Sequence, residues 1–198
     1  MSAQEFLDRV FRHVPAQPGG RFVFEAWRHA DRPTKEGFGL LPMAGVPVDK
    51  LAACVLDVAA YRGNIDYVEE SRVIADPRYA PPTAVRFYQR VKVPMLAEIQ
   101  MELVLQDFGE RQGWRVLGWH QLDAETARLD PGRGARSAYN VGAWLIRPDA
   151  VGYALSSAPS KDDVGRLKFA ALTTGADAGA AQVVQANIQG MVKWAQRR

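Results

Sequence analysis

Between Val68 and Ser157 the apolar residues recur at every second position, whereas the segments on either side recur at every third or fourth. A chain that keeps period 2 for that long builds a sheet, because successive side chains of a strand point to opposite faces. The cleanest example is Thr83 to Val93: Val85, Phe87, Gln89, Val91 and Val93 alternate with Ala84, Arg86, Tyr88, Arg90 and Lys92. From Glu98 to Phe108, Ile99, Met101, Leu103 and Leu105 oppose Glu98, Gln100, Glu102 and Gln106. Val68 to Ile74 alternates more weakly, and Trp114 to Leu122, Ser137 to Ile146 and Val151 to Ser157 are three further strands. Turn residues separate them at Gly109 to Gly113, at Asp130-Pro-Gly-Arg-Gly and at Pro148-Asp149. Short connections of this kind make an antiparallel sheet with one packed and one partly wet face.

The flanks are mostly helical. Gln4 to Val14 places Phe6, Leu7, Val10, Phe11 and Val14 on one stripe, and Pro15 with Pro18-Gly19-Gly20 ends it. Arg21 to Arg28 reads as a strand with Phe22, Phe24 and Ala26 on one face, and Phe38 to Val46 as another after the loop Asp31 to Gly37. Pro47 to Val58 is a helix whose stripe is Val48, Leu51, Ala52, Val55 and Val58, with Asp49 at the positive end of its dipole. Val164 to Leu172 fits a short helix or a strand equally, and Ala178 to Gln196 is a helix. Helices at the ends and strands in the middle give an α+β class.

At 198 residues this is one domain with enough chain for a core and a cavity. Hydrophobic residues are 47% and charged residues 24%, which excludes a disordered chain. One cysteine, Cys54, excludes an internal disulfide, and with only His13, His29 and His120 beside it no structural zinc site is expected. The N-terminus has acidic residues and no apolar core of a signal peptide, and no run reaches the ~18 apolar residues of a membrane helix, so the expected compartment is the cytoplasm. The net charge is +3, but the 19 arginines and 6 lysines are dispersed along the chain. Nucleic-acid binding needs them clustered on one face, so no nucleic-acid partner is expected.

Catalytic signatures are missing. There is no Gly-x-Ser-x-Gly elbow, and Gly132-Arg-Gly-Ala-Arg-Ser lacks the third glycine of a nucleotide fingerprint. His120 and Asp123 fall on opposite faces of a strand, and Cys54 reads as a buried inert thiol. No catalytic residue, cofactor or metal is therefore expected. More informative are polar residues within apolar stripes, since burying one without a partner is costly. Gln89 stands among Val85, Phe87, Val91 and Val93, Asn187 stands on the stripe of the last helix, and His120 shares a face with Trp114, Val116 and Leu122. Each either bonds a neighbouring backbone group or meets a ligand.

Several stretches, in this order, resemble START-type lipid-binding domains of the START/polyketide cyclase/SRPBCC superfamily. Val46-Pro-Val-Asp-Lys-Leu-Ala-Ala-Cys-Val-Leu-Asp-Val-Ala-Ala-Tyr is similar to the family's short entry helix, and Val68-Glu-Glu-Ser-Arg-Val-Ile to the strand after it. Val85 to Pro94 resembles the long strand ending at a proline loop, and Gly142-Ala-Trp-Leu-Ile-Arg-Pro through Tyr153 resembles the Gly-x-Trp hairpin. Asn64 stands where the family usually carries Trp, and Met95-Leu-Ala-Glu replaces its Arg-Asp pair in a loop that often borders the ligand entrance.

The resemblance implies a helix-grip fold, a curved antiparallel β-sheet wrapped around a long C-terminal α-helix with a central hydrophobic cavity. It divides the chain into an N-terminal helix extension, 1–20, and a START-like domain, 21–198. The implied function is non-enzymatic binding or transfer of a lipid or other hydrophobic small molecule, with transient membrane contact. The lining it implies is Phe87, Gln89, Val91, Met101, Leu103, His120, Tyr139, Val141, Tyr153, Asn187, Ile188 and Met191. Each apolar member also reads as ordinary core. Two other functions fit the same fold. One is a polyketide aromatase/cyclase in which Tyr139, Tyr153, His120 or Arg86 moves protons. The other is a protein-interaction module that uses an exposed apolar patch.

Overall fold

The structure, a computed structural model, describes residues 2–29, 32–45, 47–93, 97–123 and 126–198, the side chains of 93, 172 and 175–178 excepted. Helix α1 (Ala3–Val10) opens with a reciprocal capping box between Ser2 and Glu5. Strands β1 (Val23–Trp27) and β2 (Glu36–Pro42) precede helix α2 (Val48–Leu56), and a 3-10 turn spans Val58–Ala60. Six strands follow: β3 (Val68–Ile74), β4 (Ala84–Val93), β5 (Ala97–Arg111), β6 (Trp114–Gln121), β7 (Ala135–Arg147) and β8 (Ala150–Pro159). The chain ends in α3 (Lys161–Val164) and α4 (Arg166–Arg197). The last helix thus begins well before Ala178, and the ambiguous stretch Val164 to Leu172 belongs largely to it.

All eight strands form one curved sheet, ordered β1-β2-β8-β7-β6-β5-β4-β3, antiparallel apart from a short parallel contact of β5 with β7. The register assigns each side chain to a face. Phe87 is paired with Leu103, Gln89 with Met101 and Val91 with Ile99. Leu105 is paired with Trp119, and Trp144 with Tyr153. These residues share the concave face, where they join Leu51, Val55, Ile188, Met191 and Trp194 in the larger core. The convex face carries a second core: Phe6, Leu7, Val10 and Phe11 of α1 meet Phe38, Leu40, Trp114, Val116, Val141, Ala143 and Leu145. The middle strands are therefore buried on both sides. Beside this second core, Glu36 is fully buried and takes hydrogen bonds from Arg9 and from the Trp27 indole.

Helix α4 lies across β2, β8 and α2. Its approach to β2 is close: a Cβ on Gly39 would stand 2.3 Å from Val184 Cγ1. The second half of the helix is packed, through Val184, Ile188, Met191, Val192, Trp194 and Ala195. Among the described side chains from Arg166 to Val183 none is buried, and Leu167 is 89% exposed.

Candidate functional site: the concave face under the last helix

Because α4 rests on the β2–β8 side of the sheet, the concave face is only partly covered at its β3–β4 edge. Val73 on β3 is 51% exposed, and Ser71, Gln89 and Val91 are half-buried. The floor of this region is aromatic. The Trp119 ring lies 5.4 Å from that of Tyr153, and Trp144 meets Tyr153 edge-on at 4.6 Å. Strand β7 makes room for this at Gly142, where a Cβ would fall 2.1 Å from Trp119 Cζ2. Tyr61 stands edge-on to both Phe87 and Trp194.

Uncharged polar groups interrupt the apolar surface. Trp119 Nε1 donates to Asn140 Oδ1 at 2.7 Å, and Asn140 Nδ2 donates to Met101 Sδ at 3.2 Å. Met101 is the register partner of Gln89, and Gln89 that of Ser71. Ser71 Oγ is buried without a partner. On the opposite wall Asn187 meets the Tyr153 phenol. Burial pushes that phenol well above its ordinary value and the Asn187 contact only partly offsets this, so Tyr153 keeps its proton.

The structure brings nine of the twelve expected lining residues to this face or to the helix above it: Phe87, Gln89, Val91, Met101, Leu103, Tyr153, Asn187, Ile188 and Met191. The other three are on the convex side. Val141 lies in the α1 core, and His120 is its register partner on β6. Tyr139, two residues before Val141, shares an oxygen–oxygen hydrogen bond with Thr34 and lies under the Arg32 guanidinium. His120 Nδ1 is buried without a partner, and burial holds its pKa below the ordinary histidine value. Arg86 is also convex, bonded to Asp76, Glu102 and the Thr126 carbonyl. Of the expected entrance loop, Pro94, Met95 and Leu96 lie outside the described residues, and Ala97 and Glu98 begin β5.

Sequence reasoning missed Ser71, Trp119 and Asn140. The partners of Ser71 and Asn140 come from strand register, which no single strand reveals. Trp119 carries a local signal, since it stands on the same face as Leu117 at every second position. Described residues also form two clefts, the first of which reaches Asn140. One, of about 430 Å³, is lined by Arg32, Leu122, Leu129 and Tyr139 among others. The second, of about 600 Å³, is lined on the convex face by Arg72, Arg86, Glu102 and Arg128 among others. Among the described residues no helix is long and apolar enough to cross a membrane.

No protein-family model matches the sequence, and no curated protein does. Solved structures do. A STAR-related lipid transfer protein from Xanthomonas axonopodis superimposes with a TM-score of 0.72 at 14% identity, covering 91% of this chain and 96% of that one. Human StAR-related lipid transfer protein 5 gives 0.70 at 13% identity, covering 97% and 93%. The Zhui aromatase/cyclase from Streptomyces sp. R1128 gives 0.56 at 14% identity, covering 90% and 94%. Taken with the sheet order and the long closing helix, these superpositions place the chain in the START/SRPBCC-type helix-grip fold.

Proposed function

We propose that the protein binds a lipid or other hydrophobic small molecule, without chemical change, between the concave face of β3–β5 and α4. The observation that carries this reading is the asymmetric grip of the helix. It packs on β2, β8 and α2 and leaves Val73, Gln89 and Val91 of a largely apolar face partly uncovered. A groove lined mainly by apolar and aromatic groups with a few polar ones suits a ligand of that kind. The solved lipid transfer proteins of the same fold support it at the level of fold.

The cyclase reading has less to stand on. Of the four groups that would move protons, Tyr139, His120 and Arg86 face the convex side, and Tyr153 is held protonated by burial. The test is uptake from a mixed lipid extract, read by native mass spectrometry of the purified chain. The expected result is a population heavier than the free protein by the mass of one lipid. A chain that stays at its free mass with every lipid class offered refutes the proposal.

A further inference from the structure

Ser71 and Gln89 sit side by side on the concave face as register partners of β3 and β4. The Ser71 hydroxyl is buried and has no hydrogen-bond partner. A buried hydroxyl in that state is destabilising unless something completes it. Gln89, its neighbour, stands in an otherwise apolar row between Phe87 and Val91. The next polar groups of this face, Asn140 and Asn187, are uncharged as well.

The arginines nearest to them are already paired, and they lie on the other face. Arg86 is paired with Asp76 and Glu102, and Arg90 with Glu98 and Glu70. Arg133 also meets Glu70. Asp107 and Arg115, which their register with Leu117 and Ile146 puts on the concave side, pair with each other at its far end, near the β5–β6 hairpin. A phosphate or carboxylate brought to Ser71 and Gln89 would lose its water beside two uncharged groups. A hydroxyl, ester or amide would find one donor-acceptor hydroxyl and one amide.

We infer that Ser71 and Gln89 form a head-group subsite for an uncharged lipid, one whose polar end is a hydroxyl, ester or amide. The apolar body of that lipid lies along Phe87, Met101 and Trp119. This inference rests on the binding function proposed above. It excludes phospholipids and fatty acids as preferred ligands. It also makes Gln89 and Ser71 determinants of specificity rather than of folding.

The test offers the purified chain four probes separately: cholesterol, dioleoylglycerol, dioleoylphosphatidylcholine and oleic acid. Binding is read by native mass spectrometry and by competition with a fluorescent sterol. At least one of cholesterol and dioleoylglycerol, whose head groups carry no ionic group, binds at least tenfold tighter than phosphatidylcholine or oleic acid. Ser71→Ala and Gln89→Leu each weaken that probe by about three- to tenfold, the range of one lost hydrogen bond. Ser71→Ala leaves the thermal midpoint of the free protein unchanged or raised, because it removes an unsatisfied hydroxyl. Phosphatidylcholine or oleic acid binding as tightly as the uncharged probes overturns the inference and leaves the binding function intact. Unchanged affinity in both variants overturns it too. Failure of all four probes, together with failure of the mixed extract, overturns the binding function itself.

Discussion

Helix α4 approaches the sheet closely at Gly39, and this yields a quantitative prediction. A methyl group placed there stands 2.3 Å from Val184 Cγ1 and 3.0 Å from Phe22 Cε2. Carbon atoms prefer about 3.5–4.0 Å. Val184 is 97% buried (3% exposed) and β-branched, so it has few rotamers by which to give way. Restricting the unfolded chain by Gly39→Ala stabilises by about 0.4–1 kcal/mol. Overpacking costs about 1–3 kcal/mol, and the geometry places this site at the upper end. The net expectation is a loss of about 1.5–2.5 kcal/mol. Val184→Ala alone loses about 1.6 kcal/mol from transfer of its two missing carbons, and more from the space left behind.

Combined, the two substitutions relieve each other, since the new methyl occupies the space the valine vacates. The double variant is therefore more stable than the sum of the singles predicts, by at least about 1 kcal/mol. Urea unfolding followed by tryptophan emission measures all four proteins, with the midpoint and slope reported separately. Additivity within about 0.5 kcal/mol would refute the claim that α4 bears on β2 through this contact.

Two further predictions concern the ends of the chain. Asp163 is held at about 2 by its hydrogen bonds from Arg136, so its ionised form is favoured in the fold. A lowered carboxyl contributes stability above its unfolded value, near 4, and loses it as pH falls toward 2. Asp163→Asn should accordingly narrow the stability gap between pH 5 and pH 2, as measured by urea midpoints across that range. An unchanged pH profile would remove the Arg136 tether from the account. Phe6 of α1 is fully buried in the convex core. Phe6→Ala should cost about 3–5 kcal/mol in one cooperative transition. Loss of α1 in a separate, earlier transition by far-ultraviolet circular dichroism would show instead that this helix is an appendage.

The twofold period of β4 and β5 was enough to sort their side chains, because only one face of each is apolar. Phe87, Gln89 and Val91 against Arg86, Tyr88 and Arg90 leave one sensible orientation. Strands β6 and β7 carry no such sign. Helix α1 covers their convex side, so Val141, Ala143 and Leu145 are as buried as Trp144 and Ile146. Alternation then says that two faces exist without saying which one meets α4, and His120, Tyr139 and Val141 came out on the other side. Pairing irregularity at Ser137 and Tyr139 adds to this. The early half of α4 was illegible for a different reason. With no buried side chain among those described from Arg166 to Val183, it has no apolar stripe to announce a helix. Ser71 lies on β3, at the edge of the sheet, where alternation is weak and a lone hydroxyl carries no signal.

The most direct measurement of the central claim is photolabelling by a diazirine-bearing sterol, with the attachment sites mapped by peptide mass spectrometry. The account predicts labels on the concave residues of β3–β5 and on the inner side of α4, around Gln89, Met101 and Asn187, and their loss when unlabelled ligand is added in excess. Labels confined to α1 or to His120 and Tyr139 on the convex face, or labels that excess ligand does not displace, would contradict it.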